Sequence, residues 1–359
     1  MNLRDTAESI ALPVLALAGG LLLFGAFIWA DGHDPVQAWA LLFRGAFGDA
    51  FSLQNSLQRA APLMLTALCV ALPARAGLTI IGGEGALVLG GLACAALPLA
   101  LPLPGGAIGT AMLLAAAAIA GAAWIALAGW LRQWRGVNET ISSLLLGYIA
   151  IALFKHIVEG ALRDPASLNK PSTPPLAEAL RIGTIGGTDV HWGLVFGVVA
   201  CLMAAFWLGV TTHGFATRVV GGNPRAAQLV GLPATRLIVV ACALGGAAAG
   251  VAGGIEVAAV HTAANASLIV GLGYTGILVS FVARHHPLAI IPVAILFGGF
   301  LAAGSLLQRR MGLPDASVQV LMGFCFVVIL ASEAARGRLR ELFVLRKPPA
   351  GAVPAAATA

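Results

Sequence analysis

The sequence predicts an all-α, polytopic membrane protein of about ten transmembrane helices, some of them broken or re-entrant, with its termini N-in and C-in. Three observations carry that expectation. Of 359 residues, 59% are hydrophobic and only 10% are charged, with a mean hydropathy of +0.93, whereas soluble domains carry about 25% charged residues. Apolar runs long enough to cross about 30 Å of hydrocarbon recur along the whole chain. The Lys and Arg residues collect between those runs.

Taken in order, the runs lie at roughly 10–30, 57–73, 78–101, 106–131, 140–158, 193–211, 237–257, 268–283, 287–307 and 315–332. The first follows Arg4 and resembles a secretory leader. At about 20 residues it exceeds the usual 7–15 of a leader core, and no clear small-x-small cleavage site follows, so a retained helix is expected. The second and eighth runs are short for a full crossing and are expected to be broken or re-entrant. Such backbone is tolerated only against protein or a water-filled cavity. The fifth opens as VNETISSLLLGYIA, where Asn138 and Glu139 suit a helix start, a cap followed by an acid at the positive end of the dipole.

Residues 159–192 form the longest polar stretch. With Pro165, Pro171, Pro174, Pro175 and both charge signs, they read as an ordered external loop or short lid. Residues 1–340 are expected to form a single transmembrane domain, and the Pro/Ala-rich 341–359 a disordered cytoplasmic tail. Counting from an internal N-terminus, thirteen basic residues fall on the cytoplasmic side, among them Arg4, Arg75, Arg132, Arg218, Arg225, Arg284, Arg336, Arg338, Arg340, Arg346 and Lys347, against eight outside.

The net charge of +6 and pI near 9.5 would suggest nucleic acid in a soluble protein. No Lys/Arg block with interleaved aromatics is present, and basic cytoplasmic loops explain the excess, so no nucleic-acid partner is expected. The five cysteines lie inside apolar runs without CxxC or Cys/His spacing, which implies neither a disulfide nor a metal site. There is no GxxxxGK[ST] loop, no HExxH and no GxSxG. The chain therefore has no P-loop with which to hydrolyse ATP, and no catalytic residue is assigned.

Few ionisable groups lie within the apolar runs. Glu84 sits in GLTIIGGEGALVLGG between Gly82, Gly83 and Gly85. A carboxylate at that depth must accept hydrogen bonds or face a cavity, and flanking glycines let a helix break and free its N–H groups. Two readings stand: Glu84 caps a broken helix, or it lines a pathway. Glu256 ends the small-residue run ALGGAAAGVAGGIEV, which suits close helix packing; it is either interfacial or part of the same pathway. Tyr148 is placed to stack on a polar ligand or simply to pack. His285 and His286, beside Arg284, read as a cytoplasmic turn rather than a metal or relay pair. GALVLG from Gly85 and GILVSF from Gly276 each follow a Gly-rich break, a faint internal repeat of the kind found near transporter binding sites.

The least expected segment is the polar island GFATRVVGGNPRAAQLVGLP, residues 214–233, which has basic but no acidic residues between two long apolar runs. Asn223 and Pro224 suit the start of a short helix, Asn as cap and Pro in the first turn. Its Gly214, Phe215, Arg218, Gly222, Asn223, Pro224, Ala226, Ala227 and Gly231 resemble the cytoplasmic coupling segment of bacterial ABC importer permeases of the simple-sugar and nucleoside group. GGEGALVLGG, NETISSLLLGYIA, ALGGAAAGVAGGIEV and GYTGILVSFVARHHPLAIIPVAILFG are similar to that family in the same order, over roughly Leu57 to Ser332. The nucleoside branch is the nearer likeness. Departures are Ile80 and Ala86 where that branch has Asn and Gln, and Gly147 where it has Asn before the Tyr-Ile pair.

The resemblance implies a permease subunit of the bacterial cytoplasmic membrane that imports nucleosides or related small polar solutes. Its partners would be separate ATPases docked on the coupling segment, a second permease (in a heterodimer, which the lost polar groups favour, or a homodimer) and an extracytoplasmic substrate-binding lipoprotein. Arg218 and Arg225 would orient the ATPase contact. The pathway would involve Gly82, Gly83, Glu84, Gly85, Tyr148 and Glu256. ATP and Mg would sit on the partner, and this chain would hold no cofactor. The rival expectations are an ion- or proton-coupled secondary transporter, with Glu84 and Glu256 as coupling carboxylates, and a non-transporting scaffold.

Overall fold

Capping residues, prolines and glycines set the helix limits in the structure, a computed structural model that describes residues 3–314 and 316–344, with side chains over 13–314 and 316–333. The side chains of Arg4, Arg336, Arg338 and Arg340, together with residues 345–359 including Arg346 and Lys347, fall outside the described residues. So does most of the expected tail, whose first four residues continue the last helix.

Helix α1 (Leu3–Ala30) leads through a turn at Gly32 into α2 (Pro35–Phe47). There Asp34 accepts the Val36 N–H at 2.9 Å and Pro35 occupies the first turn, where no amide hydrogen is needed. Asp49 caps α3 (Ala50–Arg75), accepting the Ser52 N–H at 2.7 Å. Residues 78–82 form no helix and lead into α4 (Gly83–Ala100). α5 (Ala107–Arg135) stops at left-handed Gly136. Asn138 caps α6 (Glu139–Glu159) through the Thr140 and Ile141 N–H groups, as its sequence predicts.

After the loop come α7 (Gly193–Val210), α8 (Thr212–Gly222), α9 (Pro224–Leu229) and α10 (Ala234–Ile255), which passes into a π-helical turn at Glu256–His261. α11 (Leu272–Val282), α12 (Pro287–Met311) and α13 (Ser317–Val344) complete the chain. No named β-strand forms among the described residues.

Among the described residues eight helices are long and apolar enough to cross a membrane, and Ala266–Val282 and Ser317–Glu333 are shorter apolar stretches. The eighth run is short as expected. The second is not broken: its 17-residue apolar stretch lies within a continuous 26-residue helix, α3. Polar residues extend that helix toward its N-terminus, and buried Ser56 donates to the Ala46 and Ser52 carbonyls. A short apolar run is not a short helix when its polar flank is itself packed. The third run begins late, because residues 78–82 precede the helix. α2, which the sequence did not announce, buries Ala38, Leu42, Gly45 and Ala46.

α3 sits at the centre among α7, α10, α11 and α12, with 15 of its residues buried. α10 packs on α3, α4 and α5 through small residues. A β-carbon at Gly250 would strike the backbone of both Ala117 and Gly121 of α5, and Gly90 of α4 lies equally close on another side. Lipid gives helices no hydrophobic reason to associate, so such close packing carries stability, at about 0.1–0.2 kcal/mol per well-placed atom pair.

The loop 159–192 is tied down rather than domain-like. Thr173 N–H donates to Ala264 O, Leu176 N–H to Thr262 O and Ile182 N–H to Ala258 O, at 2.7–3.0 Å. At that same end His33 bonds the Met311 carbonyl at 3.0 Å. α1 and α13 pack antiparallel, Phe27 against Phe324 and Gly19 against Val328. The start of α1 and the end of α13 therefore lie at the opposite end, with the island.

Candidate functional site

Past Arg75 the chain turns at Gly77, φ +83°, into the non-helical residues 78–82. The first turn of α6 fixes this break. Thr140 Oγ1 donates to the Thr79 carbonyl at 3.0 Å, and the Ile81 N–H donates to Ser143 Oγ at 3.1 Å. Glu139, in that same turn, faces Arg132 of α5 at 3.3 Å.

Glu84 follows in the first turn of α4 and is only 1% exposed. Its Oε1 accepts the Gly271 N–H at 2.9 Å and its Oε2 the Gly273 N–H at 2.6 Å. Those amides open α11, so the carboxylate meets the positive end of a second helix. A β-carbon at Gly273 would collide with the Glu84 backbone, and only glycine lets the two helix starts touch. The two Gly-rich breaks noted in the sequence thus meet each other. Thr66 of α3 joins them, donating to the Leu272 carbonyl at 3.2 Å. Gly82 and Gly85 face α6 at Ser143 and Gly147, while Gly83 faces Cys69 and Gly273.

Tyr148 is 58% and Tyr274 39% exposed. They are the chain's two tyrosines, and Tyr274 lies within Coulombic reach of both Tyr148 and Glu84. A cavity of about 600 Å³ opens beside Tyr274, with Thr79, Gly271, Thr275 and Gln319 also on its wall. Tyr274, Thr140 and Ser143 were not singled out from the sequence. The signal available was GYTGILVSF for the first and a polar helix start for the others, neither of which shows what it faces. A larger cavity of about 710 Å³ lies between α3, α5, α7 and α10 and is lined by apolar side chains such as Leu65, Phe196 and Trp207, so it offers lipid or packing space rather than chemistry.

Glu256 stands apart from this junction. It is buried, 3.5 Å from His261 and within reach of Arg59, beneath the loop 159–192. The Cys94 Sγ contact with Gly254 O at 3.7 Å puts it about ten residues along α4 from Glu84, roughly 15 Å at 1.5 Å per residue. The two carboxylates are not brought together. Within the loop, His191 is 3% exposed with both ring nitrogens unbonded, and burial lowers its pKa.

At the other end the island folds as two short helices. Thr211 caps α8 by accepting the Gly214 N–H at 3.0 Å. Asn223 caps α9 by accepting the Arg225 and Ala226 N–H groups, both at 3.1 Å, ahead of Pro224. Ala227 is buried beneath, Gly231 closes the turn with φ +83°, and Leu229 and Val230 project at 89% and 73% exposure. Phe215, Arg218, Gly222 and Arg225 are exposed as well. On its inner side Gly221 packs directly on Arg75 and Ala76, beside Gly77. The island therefore touches the turn that leads through residues 78–82 to Glu84.

His285 lies in the same region as a structural histidine. Its Nδ1 pairs with Ser280 Oγ at 2.8 Å, its carbonyl accepts from Arg75 at 3.0 Å, and burial with the Arg75 charge pushes its pKa down to about 4. No group of three or more His, Cys, Asp or Glu side chains suited to a metal ion occurs among the described residues.

Residues 52–330 match the family described as "Branched-chain amino acid transport system / permease component". The chain is 31% identical over 332 residues to the glucose ABC transporter permease protein TsgB13 of Haloferax volcanii, covering 89% of this chain and 87% of that one. It is 26% identical to the guanosine ABC transporter permease protein NupP of Bacillus subtilis, covering 92% and 97%. The guanosine permease protein NupQ of the same organism is also 26% identical, covering 79% and 91%. A family match over most of the chain, joined to eight candidate spans, settles the class: the protein belongs to this permease family and is a multi-pass membrane permease component of an ABC importer.

Proposed function

We propose that this permease carries nucleosides or related small hydroxylated solutes along the face where α4, α6 and α11 meet, and that separate ATPases drive it through α8 and α9. The observation that carries the reading is the continuous contact from the island, through Gly221 on the Arg75–Gly77 turn, to the Glu84–Gly273 junction. Partly exposed backbone that is non-helical at 78–82, and at 262–271 apart from a single 3-10 turn at Ala266–Leu268, is incompatible with lipid and calls for protein or water on that face. A second permease subunit and the solute would supply them. Relatives named for guanosine, nucleosides and glucose share a hydroxylated sugar ring as common chemistry, and two exposed tyrosines, Tyr148 and Tyr274, favour a solute with a flat base. Two guanosine permease proteins in one organism favour a pair of different permeases. The island end, with the basic side chains of Arg75, Arg132, Arg218 and Arg225 and both described chain ends, would be cytoplasmic. This chain would hold no cofactor, with ATP and Mg on the partner ATPase.

Reconstitution of the chain with its partner permease, ATPase and binding protein tests the proposal. ATP inside the complex's ATPase compartment should drive guanosine uptake that survives a protonophore. Uptake that follows a proton gradient and ignores ATP would return the chain to the secondary-transport reading.

A further inference from the structure

Behind the island an open cavity of about 170 Å³ is lined by Arg75, Arg218, His286, Pro287 and the end of α7 at Leu208 and Gly209. Arg284 stands close by, and the charges acting on Arg75 are those of Arg218 and Arg284, both repulsive. None of these three arginines forms an ion pair with an acid among the described residues. Arg284 and His285 hold φ of +51° and +55°, a left-handed conformation that a side-chain-bearing residue adopts only when its surroundings impose it. The turn from Ser280 to His286 is fastened by its own backbone bonds and by Arg75. The backbone that carries Arg284 and His286 is thus held beside Arg75, with both side chains exposed.

Like charges gathered around a cavity repel unless an anion lies among them. Guanidinium groups match phosphoryl oxygens in charge and in forked hydrogen-bond geometry. The cavity opens where two spanning helices end, beside the exposed apolar side chains of Phe206 and Val210 on α7 and Leu288 on α12. A basic pocket between helix ends, flanked by apolar surface, fits a headgroup whose acyl chains lie along those helices. The projecting tip that suits a protein partner, Leu229 and Val230, is a separate surface on α9.

We infer that the Arg75–Arg218–His286 cavity, with Arg284 nearby, is a phosphoryl-anion site, filled by the headgroup of an anionic phospholipid. This assignment does not depend on which solute the permease carries.

The test is thermal unfolding of the full-length protein in nanodiscs of phosphatidylcholine alone, in nanodiscs containing phosphatidylglycerol, and in phosphatidylcholine with added inorganic phosphate. Bound lipid would be counted by native mass spectrometry. Phosphatidylglycerol should raise the Tm and remain bound, and Arg218→Gln or Arg284→Gln should weaken its retention about ten-fold or more, the scale of one charge-assisted hydrogen bond. Arg135→Gln, exposed on α5, should retain it in full. Stabilisation by inorganic phosphate alone, equal to that by the lipid and lost in the same variants, supports the anion site with a free phosphate as its source. Equal stability in all three conditions, or full phosphatidylglycerol retention in both glutamine variants, overturns the site. So does stabilisation by the partner ATPase with no response to either phosphoryl probe.

Discussion

The Glu84 carboxylate accepts the Gly273 backbone N–H at 2.6 Å, joining two helix starts 189 positions apart in the chain. The charge that composition marks as costly in a membrane is satisfied by the free amides and dipole of a second broken helix. Each break accounts for the other.

Glu84→Ala is expected to leave the Gly271 and Gly273 amides buried and unpaired. That costs about 1–3 kcal/mol for each such group, lowers the Tm and cuts transport while the ATPase still co-purifies. Glu84→Gln keeps an acceptor for one amide and should fall between. Wild-type Tm and uptake in the alanine variant would remove Glu84 from the mechanism.

Gly273→Ala is expected to push α11 away from α4, because its β-carbon would occupy the position of the Glu84 backbone. Overpacking of this kind costs about 1–3 kcal/mol or more. A drop in Tm without loss of membrane insertion is the result to look for, by thermal unfolding in detergent.

Leu229→Asp with Val230→Asp is expected to release the ATPase without a change in Tm, since both side chains project from α9 and pack on little. Arg218→Glu with Arg225→Glu should also release it. Co-purification of the ATPase with both double variants would refute docking on the island.

Protein stability is expected to fall as pH drops from about 6.5 toward 4. The His285 pKa is pushed down to about 4 by burial and the Arg75 charge, so in that window the unfolded chain takes up a proton that the folded chain refuses. The contribution is complete above the unfolded value of about 6.5 and is lost as pH falls through the folded one. His285→Gln should flatten this part of the Tm–pH curve.

Tyr148→Leu with Tyr274→Leu is expected to raise the KM for guanosine about ten-fold and leave glucose competition unchanged, given about 1–3 kcal/mol for stacking a base on an aromatic ring. Gly147→Asn, at a position where a β-carbon comes no nearer than 3.8 Å to Gly82 Cα, should fold normally and shift solute preference. An unchanged guanosine KM in the double leucine variant would count against the flat-base assignment.

Much of this molecule is determined by its sequence alone. Apolar run lengths specify the membrane class and the helix count to within the shorter segments. Local cap chemistry specifies the starts of α6 and α9, because Asn138 and Asn223 bond amides two and three residues away. The motif order from GGEGALVLGG to the island specifies the family. Tertiary structure alone decided the rest, because the contacts involved join residues far apart in the chain. It paired Glu84 with Gly271 and Gly273 and kept Glu256 under the loop 159–192 and away from that pair. It also made α3 continuous, since packing of its polar flank against α2 and α12 overrides the short apolar run. Hydrophobic periodicity records which residues avoid water; it does not record which buried polar group answers which, and that pairing is what forms the site.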